Sequence, residues 1–325
     1  MREYSYRCHD FSLLTPGFKK RFVAPLLPFV PWVIPANIIT IISNVFVYLG
    51  FFVSLYFHSP MSRLVVAVLL FLYLVGDHLD GMQAKRTKTG SALGEFCDHY
   101  LDAFNNGIIL FTAFLVLNIH NPVVVAVVLT TSYLAHMSVF YEQFKTGWLT
   151  FEKLGSLEAV LLTSFIVGFS SIDIVFVTLT APAFMGFSWI ELIFLASALG
   201  AISTFLTTIK RTPGRGAEVW LFVAGIILMT ATSYSIFTSM ELFVLITLYA
   251  SYYIGVVMRG HLVDGIERLP DLVLPISVLL FSLFDYPSYG LFWLLSIYIF
   301  IRICVLVVQT FSILKVFWVW SNPRA

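Results

Sequence analysis

From Asn37 onwards the chain is a succession of long apolar runs separated by short polar links. Each run approaches the roughly 20 helical residues that cross a bilayer core. The pattern predicts spans at 37–57, 62–83, 93–118, 122–144, 156–172, 188–209, 217–237, 241–258, 270–286 and 289–313. The expected architecture is therefore an all-α integral membrane protein with about ten transmembrane helices. Residues 1–34 read differently. Lys19, Lys20 and Arg21 lead into Phe22-Val23-Ala24-Pro25-Leu26-Leu27-Pro28, and Pro25, Pro28, Pro31 and Pro35 disfavour a spanning helix. This stretch is expected to lie on the membrane as an amphipathic, interfacial segment. The expected division is thus residues 1–34, one transmembrane domain over 35–318, and a short cytoplasmic tail over 319–325.

Composition supports this reading: 59% of the 325 residues are hydrophobic and 11% charged, against about 25% charged in soluble domains. The net charge of +1 and the lack of a basic stripe give no reason to expect a nucleic-acid partner. Cys8, Cys97 and Cys304 are too scattered for a disulfide framework or a zinc site. The N-terminus shows no short apolar core followed by a small-residue cleavage site, so the first span is expected to act as an uncleaved anchor.

Charge also orients the predicted bundle. With ten spans, 17 of the 19 Lys and Arg residues fall on one side, leaving Arg63 at an opposite edge and Arg302 within the last span. The positive-inside rule then makes both termini and the 84–92 link cytoplasmic. The membrane would be a bacterial inner membrane or the endoplasmic reticulum.

The apolar pattern breaks most sharply between Gly76 and Asn106, where Asp77, Asp80, Glu95, Asp98 and Asp102 lie within 26 positions. Acids at membrane depth are costly and call for partners. Asp77 and Asp80 are spaced i,i+3 and Asp98 and Asp102 i,i+4, so each pair projects from one helical face. A short link lets the two pairs meet at the cytosolic end of the bundle. An isolated acid commonly pairs with a neighbouring Lys or Arg, but four together repel unless cations neutralise them. Oxygen donors favour Mg²⁺, Mn²⁺ or Ca²⁺, and two ions about 4 Å apart suit displacement at phosphorus. Gly81, Ala84 and Gly94 keep the surroundings small, while Lys85, Arg86 and Lys88 supply positive charge for phosphates. A cation-coupled transporter is the rival, although its acids would be expected near the bilayer midplane.

The run from Asp77 to Asp102 resembles the signature of the CDP-alcohol phosphotransferases, D-x-x-D-G-x-x-A-R-x8-G-x-x-x-D-x-x-x-D. Seven of its eight fixed positions are present as Asp77, Asp80, Gly81, Ala84, Gly94, Asp98 and Asp102, and Lys85 stands where the family has Arg. Gln83 to Thr87, Leu93 to His99, Tyr141 to Leu149 with Glu158, and the Pro35 to Thr40 entry are similar to the choline- and ethanolaminephosphotransferase branch. Val256 to Leu262 is a weaker match to it.

The resemblance implies that a CDP-linked alcohol donates its phospho-alcohol to a diacylglycerol-type hydroxyl, with CMP leaving. It implies Asp77, Asp80, Asp98 and Asp102 as ligands of two Mg²⁺ or Mn²⁺ ions. His99 or Asp102 is the implied base, with Glu95 orienting the histidine or the metal shell. Gly81, Ala84, Lys85, Arg86, Gly94, Asn37 and Glu158 are expected to contact substrate. Homodimers are common in that family. The same fold also admits the reverse use of substrates, with CDP-diacylglycerol as donor and a small polar alcohol as acceptor.

Several polar residues keep two readings. Glu158, with Tyr141 or Trp148, receives a cationic amino-alcohol through charge and cation–π contact, or else meets Lys153 at a helix end. Arg302 binds a lipid phosphate or pairs with an acid, and the second reading of His99 is a helix-surface histidine pairing with Asp98 or a headgroup. His78, Arg259 and His261 are expected near the cytosolic entrance. His136 is expected to hydrogen-bond between helices.

Overall fold

The structure is a computed structural model describing residues 6–234, 236–283 and 288–314. Its short N-terminal elements are β1 (Cys8–Asp10), α1 (Thr15–Phe18), a π-helical turn (Lys19–Val23) and a 3-10 turn (Leu27–Phe29). Then come α2 (Ala36–Tyr56), α3 (Pro60–Thr87), α4 (Ala92–Val116), α5 (Pro122–Thr146), β2 (Leu149–Phe151), α6 (Ser156–Phe169) and α7 (Asp173–Thr180). The chain continues with β3 (Pro182–Phe184), β4 (Phe187–Ser188), α8 (Trp189–Arg211), α9 (Ala217–Ser233), α10 (Ser239–Arg259), α11 (Val273–Leu283) and α12 (Ser288–Leu314). The protein is a multi-pass, all-α membrane protein whose only sheets among the described residues are the two-stranded pairs β1–β2 and β3–β4.

Helix ends follow local chemistry. Ser59 caps α3 reciprocally with Ser62, and Pro60 occupies the first turn, where its missing N–H has no cost. Ser91 caps α4 by accepting from the Gly94 N–H at 3.1 Å. Gly147 ends α5 in the left-handed conformation that glycine adopts most readily. α3 runs four residues beyond the expected end at 83, so the whole stretch from Asp77 to Thr87 is helical.

Helix length and composition alone do not support the expected count of about ten crossings. Helices occupy all ten segments within the described residues; the end of the 270–286 segment lies outside them, as does the 319–325 tail. Among the described residues, six helices are long and apolar enough to cross a membrane, and up to seven if α6 and α7 form one broken span. Those two helices meet at 114°, where one span over 156–172 was expected. α9 and α11, at 17 and 11 residues, reach only about 26 and 16 Å, short of a core roughly 30 Å thick. α4 is long enough but carries Glu95, Asp98 and Asp102.

The chain divides into two compact units. One is built from residues up to Asn118 together with Thr150–Pro182; the other from Ile119–Leu149 and Ala183–Ile313. In the first unit, α2 packs against α3 and α4, and α6 packs against α3. Gly76 permits the closest approach: a Cβ there would lie 2.6 Å from the Ser43 Cβ. The missing side chain thus brings α2 against α3 one residue before Asp77. In the second unit, α5 packs against α8 and α10, and α9 against α11. Arg302 pairs with buried Asp271 at 2.8 Å, which decides between the acid and the lipid phosphate in favour of the acid.

Candidate active site

Two side chains of α3 tie the proline-rich N-terminal segment to the first unit. Arg86 donates to the carbonyls of Leu27 (2.6 Å) and Val30 (2.5 Å), and Gln83 to those of Pro31 (3.1 Å) and Ile34 (2.8 Å). The segment is too rich in proline for regular helical pairing; the Leu27 and Pro31 carbonyls accept the Val30 and Ile34 N–H groups, and the side chains supplement these few backbone bonds. Arg86 also stacks over Trp32 at 4.7 Å. Glu158 holds the same segment further upstream, accepting from Ser12 Oγ (2.5 Å), Leu14 N (3.1 Å) and Gly155 N (2.8 Å). Phe11, Leu13, Phe22, Phe29 and Trp32 remain exposed.

The α2–α4 packing draws the acids together. Asp77, Asp98 and Asp102 each offer a carboxylate oxygen, and these oxygens lie within 4.8 Å of one another. Asp77 Oδ2 lies 3.3 Å from His78 Nδ1, which is also 3.0 Å from the Leu74 carbonyl. Asp98 Oδ2 lies 3.8 Å from His99 Nε2. None of the three pairs with a Lys or Arg among the described residues, and Asp98 Oδ1 is buried without a hydrogen-bond partner. Crowded carboxylates with an unsatisfied buried oxygen and no matched cation fit a hard divalent ion.

Asp80 lies close enough to interact electrostatically with Asp77, Asp98 and Asp102, but it has a hydrogen-bond partner of its own. It is buried and accepts from Thr40 Oγ1 at 2.6 Å. The i,i+3 step rotates it about 60° from Asp77 around α3, toward α2, whereas the i,i+4 step keeps Asp98 and Asp102 within about 40°. Glu95 and His99 are both buried, and the His99 ring lies 6.0 Å from that of Tyr6. His99 is therefore an interior residue rather than one on a helix surface.

The remaining expected residues differ in their surroundings. Gly94 is small because the Asn37 Oδ1 would lie 3.2 Å from its Cβ, so Asn37 reaches the first turn of α4. A Cβ at Gly81 would meet nothing within 4 Å; packing does not demand glycine there, and the opening is available to a ligand. Ala84 is half-buried and accepts the Thr89 N–H at the end of α3. Lys85 is exposed, while Arg86 and Glu158 are engaged with the N-terminal segment.

Sequence reasoning missed the supporting polar residues. Tyr73 donates to Asp102 Oδ1 at 2.7 Å, and Asn105 Nδ2 donates to Asn44 Oδ1 at 2.7 Å. The usable signal was a polar stripe, Asn37, Thr40 and Asn44, at helical spacing within an apolar run.

Comparison with known proteins agrees with this geometry. The family model described as CDP-alcohol phosphatidyltransferase matches residues 33–195, half of the chain. Choline/ethanolaminephosphotransferase 1 of Arabidopsis thaliana is 36% identical over 110 residues, covering 32% of this chain and 28% of its own length. Choline/ethanolaminephosphotransferase 1 of Saccharomyces cerevisiae is 29% identical over 119 residues, 34% of this chain and 30% of its own. An uncharacterized CDP-alcohol phosphatidyltransferase class-I family protein of Dictyostelium discoideum is 32% identical over 113 residues, 32% and 27% of the two chains. These matches thus span less than a third of each relative. The matched family segment contains all of α2, α3 and α4, and with them the three gathered carboxylates. The chain belongs to the CDP-alcohol phosphatidyltransferase family.

Proposed function

We propose that the protein is a phospholipid-synthesising transferase. It moves a phospho-alcohol of the phosphocholine or phosphoethanolamine kind from a CDP-alcohol to a diacylglycerol-type hydroxyl. The lipid oxygen bonds to the phosphorus that bears the alcohol, the pyrophosphate P–O bond breaks, CMP departs, and the hydroxyl proton passes to a base. The observation that carries this reading is the Asp77–Asp98–Asp102 group, gathered within 4.8 Å without a Lys or Arg partner.

Asp77, Asp98 and Asp102 are the proposed holders of Mg²⁺ or Mn²⁺, with Asp80 beside them on α3; a second ion would draw on the same carboxylates. Bound cations would neutralise the carboxylates and the charge on the phosphates. His99, beside Asp98, is the proposed base, with Asp102 as the other candidate and Glu95 orienting the histidine. Exposed Lys85 supplies charge for the phosphates in place of the expected Arg, as a point charge rather than a planar fork. Gly81, Ala84, Gly94 and Asn37 shape the donor site.

The cytosolic orientation rests on the charge asymmetry, which requires α4, α9 and α11 to count as crossings. A helix as polar as α4 is tolerated at membrane depth when its acids face the bundle interior. We retain that topology, and homodimerisation, as part of the proposal.

The test is CMP release by purified protein given Mg²⁺ or Mn²⁺. One arm supplies CDP-choline or CDP-ethanolamine with diacylglycerol; the other supplies CDP-diacylglycerol with inositol or glycerol phosphate. Phospholipid and CMP in the first arm are expected. Product in the second arm alone would reverse the donor, and cation flux in liposomes with no CMP from either arm would favour a transporter.

A further inference from the structure

Tyr73 lies one helical turn before Asp77 on α3, is buried, and donates to Asp102 Oδ1 at 2.7 Å. Asp102 belongs to α4, so this bond crosses between the two helices that carry the acids. Asn105, one turn further along α4, is itself buried and held by Asn44 of α2. The stretch of α4 carrying Asp102 is therefore fixed from two neighbouring helices.

Asp102 needs such a restraint. Its oxygen lies within 4.8 Å of ligand oxygens of Asp77 and Asp98, and in a low-dielectric interior like charges at that range push a mobile side chain aside. A phenol donating to a carboxylate forms a charge-assisted bond, stronger than a neutral one. With Oδ1 held, the carboxylate plane is set and the side chain cannot rotate out of the group.

We infer that Tyr73 is a positioning residue for the cation site: its hydroxyl presets Asp102 so that the three carboxylates form a preorganised cage. This rests on the divalent-ion reading above. It assigns to a buried aromatic of an apolar run a role that its surroundings alone would describe as packing. Outer partners that orient a metal ligand typically contribute 10- to 100-fold in metal affinity.

The experiment is equilibrium Mn²⁺ binding to purified protein, followed by the EPR signal of the free ion, alongside metal-free thermal unfolding. Tyr73→Phe should raise the half-saturating Mn²⁺ concentration about 10- to 100-fold, with a modest fall in metal-free unfolding temperature from the lost hydrogen bond. In an Asp102→Asn background the same substitution should add less than about 2-fold, because the two residues act as one unit. Unchanged Mn²⁺ affinity in Tyr73→Phe, an equal loss in the Asp102→Asn background, or a lowered unfolding temperature with affinity intact would each overturn the inference. Wild-type protein without saturable Mn²⁺ binding would overturn the divalent-ion reading and this inference together. If Tyr73→Phe does not fold, Tyr73→Gln and Tyr73→Met serve instead, being similar in volume but differing in the donor. Tyr73→Gln should bind Mn²⁺ more tightly, and equal affinities would overturn the inference.

Discussion

The two units differ in what meets their most crowded acids, although the first also holds the Lys19–Asp10 and Arg63–Asp173 pairs. In the second unit, buried or half-buried acids meet cations: Glu142 pairs with Arg211, Glu267 with Lys145 and Asp271 with Arg302. Tyrosines complete several of these sets. Tyr141 donates to Glu267 at 2.6 Å and Tyr298 to Asp271 at 2.6 Å. In the first unit, Asp77, Asp98 and Asp102 meet one another and two histidines. Ion pairs that close within the fold serve to hold helices together. A carboxylate group left without matched cations is open to a counter-charge from outside the chain, and on the proposed reading that difference separates scaffold from candidate site.

The contrast is broken most directly by removing one charge from the gathered group. Asp98→Asn should lower CMP release by on the order of 10³-fold or more, and chelation of divalent ions should do the same reversibly. Metal-free unfolding should stay level or move upward, because a like charge has been taken away. A variant that unfolds early yet keeps its turnover would make Asp98 a scaffold residue like those of the second unit.

The opposite result is expected for Arg302→Leu, which leaves Asp271 buried without its cation. The loss should be about 3 kcal/mol in unfolding free energy, read in detergent, with turnover at low temperature changed less than about 2-fold. Mn²⁺ dependence altered in this variant would show that the pairing rule does not divide the units by role.

Smaller effects distinguish neighbouring basic residues. Lys85→Ala should raise KM for the CDP-alcohol roughly 10-fold, the loss of one charged contact to phosphate. Arg86→Lys keeps the charge but removes a guanidinium that reaches two carbonyls, so it should cost about 1.5–3 kcal/mol of stability with KM little changed. Exchange of these two outcomes would move the phosphate contact to Arg86.

The smallest expected effect is that of Glu158→Gln. It removes the charge, and one acceptor oxygen, from a side chain holding Ser12, Leu14 and Gly155, a loss of about 1 kcal/mol. Faster limited proteolysis near Lys19 is the readout. Selectivity between CDP-choline and CDP-ethanolamine should not change; a shift would return Glu158 to the substrate site.

Much of this was legible in the chain. Apolar runs placed every long helix to within a few residues, because burial in lipid leaves one periodic solution for the backbone. The spacing of Asp77, Asp80, Asp98 and Asp102 pointed to the candidate site, since ionised groups are costly in such runs. Span counting was less legible. A run of apolar residues over 156–172 gives no sign that the chain turns through 114° after Phe169, and Arg63, which lies 3.8 Å from Asp173 of α7, looked like an unexplained charge at a span's edge.

Local sequence, then, determined the helices, their caps and the set of acids, because propensity, hydrophobic period and i,i+4 spacing act within one segment. Tertiary structure alone decided which acids meet and which are occupied. Asp80 turns to Thr40 while Asp102 takes Tyr73; Arg86 and Glu158 are held by the N-terminal segment while Lys85 stays exposed. These outcomes depend on which neighbouring helix faces each side chain and how closely it can approach, as at Gly76 against Ser43. Such distances are set by packing between segments far apart in the chain, and no local pattern encodes them.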